Sequence, residues 1–206
     1  MPGHIIVRQS SLSGRRAWSV QDADELLGDD ITACRDMSAA RREQYLKSRS
    51  LIRDIVVNEL GDAWHGFQHK GQTGPPRLRD SSRSVSITHC GAHVAVAVAS
   101  GVEVGIDIER TDAVFDSPSL QRRMCTPGEL ARAASMRPLE RRRWLTRLWT
   151  VKEAYVKSRG RGLSLDLRAV DSADLPAHRR SAWVSTESVC ADVALTVVWA
   201  EGGSRP

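Results

Sequence analysis

The sequence predicts an α+β fold: a pseudo-twofold pair of similar α/β halves, each a long helix packed on a small antiparallel sheet, with the active site between them. Two observations carry this. Each half runs from a long amphipathic helical pattern, closed by glycine, into short alternating strands. The halves also align at one offset: "ADVALTVV" at 191–198 matches "AHVAVAVA" at 92–99, and the same shift of 99 pairs Trp144 with Tyr45, Leu145 with Leu46, Lys152 with Arg53 and Glu153 with Asp54. A shared offset across a helix and a strand predicts an internal duplication. The predicted halves are 1–101 and 102–206, joined near residues 100–105, and a cleft between halves is a favoured ligand site.

Taken in order, "MPGHIIVRQSS" has no basic segment followed by a long apolar one, so no secretory signal is predicted. "SAARREQYLKSRSLIRDIVVNELG" places Tyr45, Leu46, Leu51, Ile52, Ile55, Val56 and Leu60 at helical spacing, and Gly61 supplies the stop. A loop with Gly71, Gly74, Pro75 and Pro76 follows, then the strands "SVSITH" and "HVAVAVA". The second half repeats the plan with "LERRRWLTRLWTVKEAYVKSRG", closed by Gly160, and the strands "SAWVSTE" and "ADVALTVVWA".

Between the halves lies "GVEVGIDIER", 101–110. As a strand it alternates faces: Val102, Val104, Ile106 and Ile108 on one, Glu103, Gly105, Asp107 and Glu109 on the other. Asp107 and Glu109 are then neighbours, with Gly105 leaving open space beside them. In "LWTVKEAYVK", Glu153 and Lys157 share a helix face. Trp149, Val151, Ala154, Tyr155 and Val156 surround them, so the pair sits in a buried segment, where charges need partners. Asp107, Glu109 and Glu153 would together supply three hard oxygen ligands. With water and phosphate oxygens these suit Mg²⁺, with Mn²⁺ as the alternative. Lys157, one turn on, would face a phosphate. His89, near Ser86 and Thr88 at a strand end, reads either as a structural histidine or as a ligand contact.

The chain has 206 residues and a net charge of +5. Basicity favours polyanionic partners. Aromatics are few and not interleaved with the arginines, and no zinc-finger or RNA-binding strand motif occurs, so nucleic-acid binding is not predicted. No run of about 18 apolar residues occurs to cross a membrane. Cys34, Cys90, Cys125 and Cys190 are scattered, with no C-x-x-C pair, as for reduced thiols of a cytoplasmic protein.

Three blocks together resemble the 4'-phosphopantetheinyl transferases, specifically the surfactin-type, single-chain, two-half group. "VGIDIER" matches G-[IV]-D-[IV]-E; "LWTVKEAYVKSRGRGLSL" matches W-[ST]-x-K-E-[AS]-x-x-K followed by G-x-G-L; "SITHCGAHVAVAVA" matches S-x-[ST]-H-x-x-x-x-x-[AV]. Their order fits too, and the similarity covers roughly residues 41–170.

The resemblance implies that Asp107, Glu109 and Glu153 hold Mg²⁺ against the pyrophosphate of coenzyme A. A serine of an apo acyl or peptidyl carrier protein attacks the β-phosphate, and 3',5'-adenosine bisphosphate leaves. A Glu153 oxygen or a water on the metal takes the serine proton, and Lys157 steadies charge on the leaving group. It also implies that Arg49 and His89 reach the 3'-phosphate and that Ser86, Ile87 and Thr88 contact the cofactor. One departure stands out. Where the family commonly has G-K-P, this chain has Gly74-Pro75-Pro76, leaving Lys70 before or Arg77 after to stand in for the lysine.

Carriers of fatty acid, polyketide or nonribosomal peptide synthesis are the implied partners, secondary metabolism being the group's usual setting, and a monomer is expected because both halves lie in one chain. The segment with Val114, Phe115, Leu120 and Met124 beside Arg122 and Arg123 reads either as a dock for acidic carriers or as an amphipathic helix packed on the second half. A Mg²⁺-dependent phosphodiesterase or pyrophosphatase using the same three acids is the competing chemistry.

Overall fold

The computed structural model describes residues 4–12, 18, 20–27, 34, 36–68, 76–79, 82–113, 115–160, 166–172, 181–187 and 192–201. The mixed fold expected from the sequence is present as helices packed on two small antiparallel sheets. One sheet holds β1 (His4–Ser11), β2 (Ser84–Cys90) and β3 (His93–Ser100), in the order β1-β3-β2. The other holds β4 (Val102–Arg110), β5 (Ser181–Glu187) and β6 (Val193–Glu201), in the order β4-β6-β5.

Among the described residues five α-helices accompany the sheets: α1 (Val20–Leu27), α2 (Ala39–Asp54), α3 (Pro118–Met124), α4 (Pro127–Ser135) and α5 (Pro138–Ser158). α2 runs into a π-helical turn over Ile55–Glu59, and the chain then leaves through Gly61 at φ 70°. Gly160, at φ 65°, follows the end of α5. Both are left-handed positions that glycine tolerates best. No helix among the described residues is long and apolar enough to cross a membrane.

Alternation along β3 and β4 decides the layering. Ala95, Ala97 and Ala99 turn to the second sheet and pack on Val102, Val104, Ile106 and Ile108 of β4 and Val193, Leu195 and Val197 of β6. Val96 and Val98 face the other way, with Ile52, Ile55 and Val56. The small alanines let the sheets close tightly. With its even-numbered residues spent on this core, β4 turns the odd-numbered ones away from it, and α5 packs there. Thr150 of α5 and Thr196 of β6, both fully buried, share a hydrogen bond of 2.8 Å that fixes the helix on the sheet.

Lys152 anchors the opposite side of α5. It is fully buried, and its Nζ donates to Glu129 Oε2 at 2.6 Å, to the Met124 carbonyl at 2.6 Å and to the Leu167 carbonyl at 3.0 Å. All three ammonium protons are thereby used. Glu129 also caps α4 through the Thr126 N–H and accepts from the Ser172 N–H. Lys152→Ala would leave that carboxylate buried without its cation, so we expect a loss of about 3–5 kcal/mol, read as a lower urea midpoint.

Candidate active site

The site forms where α5 crosses β4. Gly105 sits under the helix: a Cβ there would overlap the Ala154 carbonyl oxygen and stand 2.5 Å from the Ser158 nitrogen. The open space expected beside Gly105 is therefore filled by the backbone of α5. This close approach lets Lys157 reach across. Its Nζ donates to Asp107 Oδ1 at 2.6 Å and to the Ile106 carbonyl at 3.1 Å. The lysine thus bridges helix to strand, whereas helical spacing alone pairs it with Glu153.

Asp107 and Glu153 are both buried, at 5% and 8% exposure. Asp107 Oδ1 takes Lys157 and the Thr88 hydroxyl, the latter at 3.0 Å. Asp107 Oδ2 and Glu153 Oε1 are buried without a hydrogen-bond partner among the described residues. Glu109 is half-buried, with the Cys90 thiol donating to its Oε2 at 3.3 Å. Burial raises the pKa of all three carboxyls; the negative charge of Asp107 pushes both glutamates further up, and Lys157 opposes the shift in each. Three carboxylates facing one ammonium leave an excess of negative charge.

That excess, with two orphaned carboxylate oxygens, fits a divalent cation of the hard, oxygen-seeking kind. Among the described residues no group of three His, Cys, Asp or Glu is placed to hold a metal ion by itself. Waters and substrate phosphate oxygens would have to complete any Mg²⁺ site here, alongside one or two of these carboxylates.

The remaining predicted residues lie on α2 and β2. His89 is exposed at the end of β2; partial burial, then the positive charges of Arg41 and Lys157, lower its pKa, so the imidazole is neutral at neutral pH. Ile87 is half-buried. Ser86 and Thr88 are buried, with their hydroxyls bonded into the edge of β4 and not presented at the surface. Arg49 is also buried. Its guanidinium lies 3.7 Å from the centre of the Tyr45 ring and 4.9 Å from that of Phe67, and donates to Ser48. Lys70 and Pro75 lie outside the described residues. Arg77 is exposed and, with Arg83, Glu103 and Lys157, lines a cavity of about 80 Å³ beside the site. A larger cavity of about 640 Å³, lined by Trp64, His65, Leu78 and Arg79, touches none of the three carboxylates.

The segment that reads either as a carrier dock or as a packed amphipathic helix divides into a buried apolar side and an exposed basic one. Phe115 and Met124 are buried with Leu145 and Leu148, and Phe115 stacks on Trp149 at 5.1 Å. Arg122 and Arg123 are exposed, and Val114 lies outside the described residues. Leu120 is half-buried against the same cluster, as on an amphipathic helix.

A family model described as the 4'-phosphopantetheinyl transferase superfamily matches residues 103–198. This segment belongs to that superfamily. It opens within β4 and closes within β6, so it contains Asp107, Glu109, Glu153 and Lys157. The matched relatives are transferases of the same description. AcpT of Salmonella typhimurium is 34% identical over 132 residues, 64% of this chain and 66% of the relative. Sfp of Bacillus subtilis is 29% identical over 140 residues, 64% and 59% of the two chains. HetI of Nostoc sp. is 27% identical over 128 residues, 60% and 54%. The chain thus spans little more than half the length of the Nostoc relative.

Proposed function

We propose that this chain transfers the 4'-phosphopantetheine arm of coenzyme A to a serine of an apo carrier protein and releases 3',5'-adenosine bisphosphate. The observation that carries the reading is the juncture of β4 and α5. There two buried carboxylate oxygens, on Asp107 and Glu153, have no hydrogen-bond partner among the described residues, beside a lysine already held across the gap.

In this reading Asp107, Glu109 and Glu153 hold Mg²⁺. When bound, the ion neutralises pyrophosphate charge and aligns it for displacement. Lys157, fixed by Asp107 and the Ile106 carbonyl, directs positive charge at the departing phosphate. Glu153, a buried carboxylate with one oxygen unclaimed by a donor among the described residues, takes the serine proton. The serine oxygen bonds to the β-phosphorus as the bond from that phosphorus to the bridging pyrophosphate oxygen breaks. His89 and Arg49 are assigned to the 3'-phosphate, and Arg77 stands in for the lysine that Pro75 replaces. Ile87 and His89 supply the surface of β2 open to the cofactor.

The two halves, 1–101 and 102–206, are proposed as a duplication acting as one monomeric unit. Both sheets share the strand order first, third, second, and Ala39 and Pro138, which open α2 and α5, stand 99 residues apart.

Release of 3',5'-adenosine bisphosphate from coenzyme A, followed with and without an apo carrier, tests the reaction type. Transfer requires that release depend on the carrier. Equal release without it would make the protein a Mg²⁺-dependent hydrolase.

A further inference from the structure

β2 lies along the free edge of β4 without forming a backbone ladder to it. Three β4 amides that point away from β6 are met by hydroxyls instead. The N–H groups of Val104, Ile106 and Ile108 donate to Ser84 Oγ, Ser86 Oγ and Thr88 Oγ1 at 3.0, 3.0 and 3.3 Å. A constant step of 20 residues puts the two strands in parallel register. The same row of side chains then donates onward to the acids of β4. Ser84 bonds Glu103 at 3.0 Å, Thr88 bonds Asp107 at 3.0 Å and Cys90 bonds Glu109 at 3.3 Å. Opposite Ser86 stands Gly105, which has no acid to orient.

We infer that the even-numbered side chains of β2 set the orientation of the β4 carboxylates, and that Thr88 is the positioning residue for Asp107. A hydroxyl that accepts the Ile108 N–H has its own hydrogen left to donate, and it donates to Oδ1. Lys157 donates to that same oxygen. Two donors on Oδ1 fix the turn of the carboxylate and leave Oδ2 without a partner among the described residues. Thr88 therefore acts through Asp107 and not by touching the cofactor. Hydroxyls that orient a ligand carboxylate in this way are worth about 10–100-fold in metal affinity.

The inference rests on the metal site proposed above, and its test separates the two. Mn²⁺ would be titrated into the wild type, Thr88→Val, Thr88→Ser and Ser86→Ala, its uptake read by electron paramagnetic resonance. Thermal unfolding and steady-state transfer would be measured on the same samples. Thr88→Val should bind Mn²⁺ about tenfold more weakly or worse, and should lower kcat with KM for coenzyme A little changed. Thr88→Ser, which keeps the hydroxyl, should restore both. Ser86→Ala also strips a partner from a β4 amide, so it should lower thermal stability but keep wild-type Mn²⁺ affinity. Thr88→Val with wild-type Mn²⁺ affinity and kcat, or with only a raised KM for coenzyme A, overturns the positioning role and leaves the metal site standing. A wild type that takes up no Mn²⁺ overturns the metal site and the inference with it.

Discussion

Gly105→Ala is expected to lose both transfer and stability. The atoms that an alanine Cβ would meet are the Ala154 carbonyl oxygen and the Ser158 nitrogen, backbone atoms of α5 that cannot swing aside as a side chain would. The helix must lift from β4 or the strand must buckle. Overpacking of this kind typically costs about 1–3 kcal/mol, and a backbone clash belongs at the upper end. The functional loss should be larger. Glu153 and Lys157 ride on the same turns of α5, so a lift of the helix draws Lys157 off Asp107. A misplacement of about 1 Å at a reacting centre can cost about 100-fold in rate. Urea unfolding and turnover measured side by side check this. A variant with wild-type midpoint and wild-type turnover would show that α5 does not depend on the missing side chain.

The second large effect runs in opposite directions for stability and activity. Glu153→Gln should unfold at the same temperature as the wild type or a higher one at neutral pH, while transfer falls by about 100-fold or more. Burial and the charge of Asp107 raise the folded-state pKa of Glu153 above its ordinary 4.5. Between the ordinary and raised values the native state holds more protons than the unfolded state. Stability therefore falls as pH rises from 4.5 through the raised value. Asp107 and Glu109 are shifted upward as well and add to the same trend. Removing the Glu153 charge removes part of the penalty, a gain that should vanish below pH 4.5, where the wild-type carboxyl is itself protonated. Mg²⁺ should raise the unfolding temperature of the wild type at neutral pH more than that of the variant. Thermal unfolding across pH, with and without Mg²⁺, checks each part. A variant less stable than the wild type at neutral pH would mean that Glu153 holds the fold together.

Much of this arrangement was legible because it follows from periodicity. Val102, Val104, Ile106 and Ile108 announce one face of β4, so Asp107 and Glu109 had to occupy the other. The helical spacing up to Leu60, with Gly61 behind it, marks the run of α2 and its π-helical turn, although the first residues of the chain gave no comparable signal for β1 or α1. Contacts between segments far apart in sequence were hidden. Nothing local tells that Gly105 is a seat for helix backbone, since an alternating strand with a glycine looks the same beside solvent. Ser86 and Thr88 read as polar tips gathered on a ligand. Only the meeting of β2 with the edge of β4 shows their hydroxyls bonding its amides. Lys152 and Glu153 are adjacent, charged and helical. One is an anchor enclosed by Glu129 and two carbonyls, and the other carries an unpartnered oxygen in the site. The distinction comes from what packs on each side of α5.

The most direct test of the central claim is the intact mass of an apo carrier protein after incubation with coenzyme A, Mg²⁺ and either the wild type or Asp107→Ala. The juncture of β4 and α5 predicts that the wild type adds the mass of one phosphopantetheine arm and that the variant adds none while remaining folded. A carrier modified equally by both would contradict the assignment of Asp107. A carrier left unmodified by the wild type, with coenzyme A cleaved, would contradict transfer itself.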